Sequence, residues 1–141
     1  MAKHQMSLAL SAEDLDAVDA ALTTIEARLA GMISLRVEGH YGMAKMGDGP
    51  ESFCRRTLTR LARNPQVIPP DFSLGDAQAD LAMADALHPR LLRLRRLSDR
   101  AEDSELALGC DVMVAALQGH ALLEAAGCVE EQVSLCEADA A

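Results

Sequence analysis

The sequence predicts an all-α protein: an antiparallel four-helix bundle with a long loop between its first two helices and a proline-kinked third helix. Three observations carry that expectation. Half of the 141 residues are apolar, most of them Ala and Leu, and only Tyr41, Phe53 and Phe72 are aromatic. This is the palette of helices rather than of sheets. Leucines and alanines recur at three- and four-residue spacing over several long stretches, which is the period of one helix face. Glycines and prolines cluster between those stretches, at 31–49 and 64–70, where they punctuate the chain.

The first helix opens at Ser11, a hydroxyl cap ahead of the acidic turn Glu13-Asp14. Its apolar line is Leu15, Val18, Leu22, Ile25 and Leu29, and Gly31 is its natural stop. Residues 31–49 hold Gly31, Gly39, Gly42, Gly47 and Gly49 with little periodicity, so they read as a long loop pinned by Ile33 and Leu35. Loops of this length inside compact domains are uncommon and often functional.

Pro50 suits the first position of a short second helix, with Phe53, Leu58 and Leu61 on one side and arginines on the other. Asn64-Pro65 ends it, because proline disfavours helical geometry in the residue before it. Pro69 and Pro70 stiffen the connector, and Asp71 or Ser73 caps a third helix. The buried line of that helix runs Leu74, Ala77, Leu81 and Ala84, then Leu91, Leu94 or Leu97. Pro89 removes a backbone donor within it, which predicts a kink near Asp85 to Pro89. The polar run Asp99 to Ser104 reads as a tight turn, followed by a fourth helix through Leu106, Cys110, Met113, Leu117 and Ala121 to Gly127. Four such apolar stripes are most simply satisfied by packing on one another. The expected organisation is one helical-bundle domain over 1–127 and an acidic, flexible tail over 128–141.

The formal net charge is -9, which argues against nucleic acid or an anionic membrane as partner. The charge is segregated: residues 1–49 carry 4 cations and 7 acids, residues 50–100 carry 9 and 6, and residues 101–141 carry 0 and 9. No apolar run of signal-peptide length precedes Ser11, and no stretch reads as apolar enough to span a bilayer, so a cytoplasmic protein is expected. Cys54, Cys110, Cys128 and Cys136 are unevenly spaced without a C-x-x-C, and reduced thiols are expected.

Several constellations have chemical potential. Asp85 and His88 lie three apart, and His120 and Glu124 four apart, so two facing helices bearing these pairs would offer carboxylate and imidazole to a first-row transition metal. The repeated Glu and Glu-x-x-His set of di-iron bundles is absent, and the plainer reading is a helix-end histidine before Pro89 and a locally bonded His120. His40, Met43 and Met46 stand at three-residue intervals, a soft donor set for Cu(I) and equally the adaptable filler of an irregular gap. Arg55, Arg56, Arg60 and Arg63, with Arg90, Arg93, Arg95, Arg96 and Arg100, supply a basic surface. Arginine forks suit carboxylate or phosphate, yet the acidic end of the same chain, or of a second subunit, competes for them. With so few aromatics to stack bases, nucleic acid is not expected. Gly109, Val112, Ala115 or Ala116, and Gly119 form a small-residue stripe that suits close approach of another helix, in the same chain or across a two-fold axis.

No nucleophile–base–acid set or glycine-rich phosphate loop stands at recognisable spacing. Cys110 and His120 are ten residues apart on one predicted helix, about 15 Å by helical rise, too far to touch. His40, Tyr41 and Lys45 are the only clustered titratable groups of the long loop.

Lys45-Met46-Gly47-Asp48 with Phe53, then Asn64-Pro65 and Pro69-Pro70, then Asp80-Leu81 with Pro89, and finally Ala107-Leu108-Gly109-Cys110-Asp111 form a pattern that resembles a group of small uncharacterised bacterial helical proteins. The resemblance covers roughly residues 8–126 and implies a shared helical fold, with no activity attached. In that group the residue before the equivalent of Asp111 is more often Ser, so a thiol role for Cys110 would be particular to this chain.

The functional expectation is a non-enzymatic interaction module. It is a homodimer that docks protein partners through Arg55, Arg56, Arg60, Arg93, Arg96 and Arg100 and its acidic end, without nucleic acid, membrane or a resident cofactor. The competing expectation is a metal or small-ligand site built from Asp85, His88, His120 and Glu124.

Overall fold

The computed structural model describes residues 7–128, and every regular element among them is helical. α1 spans Ala12–Arg28, α2 Val37–Tyr41, α3 Asp48–Arg63 and α4 Leu74–Ala125, with a 3₁₀ turn at Pro65–Val67. The described residues fall into two units, one spanning Leu10–Arg95 and the other holding residues 7–9 and the described residues from Arg96 onward. Of the acidic tail expected over 128–141, all but Cys128 lies outside the described residues.

Local chemistry explains each boundary. Ser11 and Asp14 form a capping box: the Asp14 amide donates to Ser11 Oγ at 3.0 Å and the Ser11 amide to Asp14 Oδ2 at 3.2 Å, which satisfies two otherwise orphaned donors. α3 begins at Asp48 rather than Pro50, so Pro50 lies in its first turn, where its missing N–H removes no helical bond. It ends where Asn64 leaves helical geometry (φ -129°, ψ 59°), and the Asn64 side-chain amide caps the Arg60 carbonyl at 2.8 Å. Ser73 Oγ accepts from the Asp76 amide at 3.3 Å and starts α4.

The long loop is interrupted by the short helix α2, which has no side-chain cap and is too brief for its periodicity to be read. The larger difference concerns the third and fourth predicted helices, which are one: α4 runs through both Pro89 and the Asp99–Ser104 segment. That segment is polar but contains neither glycine nor proline, the residues that end helices most decisively. Its polar side chains bond along the helix: Ser98 Oγ donates to Glu102 Oε1 at 3.3 Å and Ser104 Oγ to the Arg100 carbonyl at 2.6 Å. At Pro89 the carbonyl one turn back, on Asp85, loses its backbone donor, and the next carbonyl, on Ala86, accepts from the Arg90 guanidinium as well. α4 stops at a glycine cap. Gly127 has φ 76°, its amide donates to the Glu124 carbonyl at 3.0 Å and the Cys128 amide donates to the Leu123 carbonyl at 3.0 Å, the paired bonds of a Schellman motif.

None of the described residues is fully buried. The apolar line of α1 is exposed along its length, Leu15 to Ile25, although the sequence reads it as core-facing. Most of the half-buried apolar residues, Leu58, Leu61, Ile68, Leu74, Ala77 and Leu81, lie on α3, the proline connector and the start of α4. The described residues are all-α, and one long helix, α4, dominates them.

Candidate apolar groove and its arginine edge

The connector 64–73 turns the chain so that α4 runs back along α3. Arg55 on α3 then reaches Asp85 on α4 with both ends of its guanidinium: Nη1 donates to Oδ2 at 2.8 Å and Nη2 to Oδ1. Its Nε donates to Glu51 Oε1 at 3.0 Å, one turn back on α3. A planar fork bridging two carboxylates fixes the two helices in register. The same contacts raise the Arg55 pKa further above its ordinary value and hold the Asp85 carboxyl below the usual carboxylate range; for Asp85 the hydrogen bonds from Arg55 dominate and His88 adds a smaller charge effect.

Beside that ion pair lies an open groove of about 460 Å³. Phe53, Cys54, Thr57 and Leu58 form the α3 wall, Ala77, Asp80, Leu81 and Ala84 form the α4 wall, and Met46 closes one end. Phe53 and Leu58 were legible as the apolar side of the second helix, and Ala77, Leu81 and Ala84 as the buried line of the third. Their pairing across one groove follows from the connector, which sequence periodicity does not report. Of the His40, Met43 and Met46 series, Met46 is the member that lines the groove.

On α3, the positions flanking Phe53 on the side away from Arg55 are Arg56, Arg60 and Arg63, at four- and three-residue spacing. Among the described residues these three arginines form no ion pair; Arg56 Nε donates to the Ser52 carbonyl at 3.3 Å. Arg93, Arg96 and Arg100 share a face of α4 by the same spacing rule.

Asp85 is engaged by Arg55, with His88 one turn further on. His120 Nδ1 and Glu124 Oε2 stand 3.7 Å apart, both side chains about two-thirds exposed, in the stretch from Arg96 onward. Among the described residues no three His, Cys, Asp or Glu side chains gather in a group suited to a metal ion. His40, Tyr41 and Lys45 are all exposed. Cys54 is half-buried in the groove wall, and Cys110 and Cys128 are exposed free thiols. A Cβ placed on Gly109 or Gly119 would meet nothing within 4 Å among the described residues.

One feature escaped sequence reading. Within α4 an 18-residue window has a mean hydropathy of 1.6, long and apolar enough by length and composition to cross a membrane. The stretch Leu106–Leu123 holds one formally charged residue, Asp111, with Gln118 and His120. This run lies within the predicted fourth helix and qualifies by length and composition alone, against the expectation that no stretch is apolar enough.

Comparison of the chain with protein families, with curated proteins and with solved structures finds no match.

Proposed function

We propose that this chain is a protein-interaction module that works as a homodimer, its apolar helix faces covered by a second copy and its arginine and acidic faces left for protein partners. The observation that carries this reading is the lack of any buried residue among those described, alongside exposed apolar side chains on α1, α3 and α4. A standard interface removes about 800 Å² per partner, and the exposed apolar side chains of α1 and α3 offer surface of that kind. In this reading the antiparallel bundle belongs to the assembly of two copies rather than to one chain.

A bilayer is the other apolar solvent available to α4. Asp111, Gln118 and His120 within the apolar stretch weigh against it, since polar and ionisable side chains are costly in a spanning helix. Native mass spectrometry and sedimentation equilibrium, without detergent and across concentrations and salts, test the proposal. A persistent dimer is expected. A monomer under all conditions overturns it, and so does a protein that stays dispersed only in detergent or vesicles.

A further inference from the structure

We infer that the groove between α3 and the start of α4 is filled by α1 of a second copy of this chain, each protomer supplying one helix and one groove. The inference rests on the homodimer reading above and specifies its contact.

α1 is amphipathic, 17 residues long, with Leu15, Val18, Leu22 and Ile25 on one face. Its apolar side chains are exposed although α1 belongs to the same unit as the groove, so the single chain leaves both surfaces open. A helix face of this kind and an apolar groove between two helices are complementary shapes, read through anchors at i, i+3, i+4 and i+7.

Charge selects the occupant. α1 carries Glu13, Asp14, Asp16, Asp19 and Glu26 against the single cation Arg28. By helical phase Asp19 and Glu26 border the apolar face, seven residues and so about 10.5 Å apart. On α3, Arg56 and Arg63 border Phe53 and are also seven residues apart. Two turns separate each pair, so an α1 seated against Phe53 and Leu58 sets two acids beside two arginines that have no ion-pair partner among the described residues. The later part of α4 fits less well: it is apolar on several faces and offers no acidic rim at matching spacing beside a single stripe.

Cys54 in the groove wall makes the contact measurable. In a background with Cys110, Cys128 and Cys136 changed to Ser, one chain carries Leu22→Cys and Cys54→Ser, and the other keeps Cys54 as its only thiol. The two are mixed and treated with a short bis-maleimide. The expected product is a cross-linked pair of unlike chains, and a chain carrying both thiols links between copies rather than within itself. An intrachain link in the doubly cysteine-bearing chain overturns the inference, because α1 then occupies its own groove. No link while native mass spectrometry still reports a dimer overturns it too and leaves the dimer reading standing; a monomer throughout removes both. Circular dichroism of each variant confirms that the helices are kept.

Charge reversal supplies a second arm. Asp19→Arg with Glu26→Arg weakens the dimer about tenfold, and adding Arg56→Glu with Arg63→Glu restores most of the loss. Equal weakening by both pairs without recovery when combined overturns the pairing.

Discussion

The groove region and the later part of α4 solve different problems with the same side chains. Between Asp48 and Ala84, Phe53, Leu58 and Leu81 lie on defined faces, arginines line one edge, and Arg55 locks α3 to α4 through Asp85. Between Leu106 and Leu123 the apolar residues occupy most of the helix circumference: Leu106 and Val112 are each 68% exposed and Leu117 is 61% exposed. An amphipathic surface with a charged border specifies one partner in one register, whereas a helix apolar on all sides specifies only that water be excluded. In the proposed dimer the first region sets which contact forms, and the second supplies most of the driving force.

The largest effect is expected from Leu117→Asp. Covering one leucine contributes about 1.5–3 kcal/mol, and a two-fold interface counts it twice, so dimer dissociation should rise by at least about 100-fold. Sedimentation equilibrium of the variant checks this. An unchanged dimer would mean that the later part of α4 stays uncovered and would reverse the assignment of driving force.

Phe53→Ala comes next. Phe53 is 63% exposed in the single chain, so truncation should leave thermal stability of any monomeric form nearly unchanged while weakening association about tenfold to 100-fold. A drop in stability without any change in association would show Phe53 to be internal packing instead, and would remove the groove from the interface.

These two regions were also unequally legible in the sequence. Capping residues were readable because their chemistry is local: Ser11 with Asp14, Asn64-Pro65, Ser73 and Gly127 all act within a few residues. The apolar sides of α3 and early α4 were readable for the same reason. Two things were not. A polar run such as Asp99 to Ser104 has two solutions, a turn or a solvated helix, and only the absence of glycine and proline together with the Ser98–Glu102 and Ser104–Arg100 bonds tips it to helix. The partner of a stripe is the second: Leu15, Val18, Leu22 and Ile25 announce that they need covering, yet periodicity is silent on whether their own chain or another does it. The arginine surface was visible as composition, but only the turn at 64–73 separates Arg55, which is held internally, from Arg56, Arg60 and Arg63.

A smaller effect is expected at the end of α4. Gly127 sits at φ 76°, a conformation that costs about 1 kcal/mol or more once a Cβ is present. Gly127→Ala should fray the last turn and speed amide exchange at Cys128 and Gly119–Ala126 while leaving α3 untouched. Equal acceleration in α3 would show that the two regions are not independent.

The smallest effect concerns the Arg55–Asp85 lock. The Asp85 carboxyl is held below its ordinary value of 3.8, mainly by the Arg55 hydrogen bonds. A folded-state pKa that is depressed stabilises the fold fully above the unfolded value and loses that contribution as pH falls through the folded one. Acidification below about pH 4 should therefore release α4 from α3 before any change at neutral pH is seen, and Asp85→Asn should abolish that acid step. Both side chains are largely solvent-accessible, so the shift in melting temperature at neutral pH is expected to be slight. Carbon-detected NMR titration of the Asp85 carboxyl, with and without Arg55→Gln, checks the sign: the substitution should raise its pKa toward the ordinary value. A titration indifferent to Arg55 would mean that the lock does not form in solution, and the register on which the groove depends would need another source.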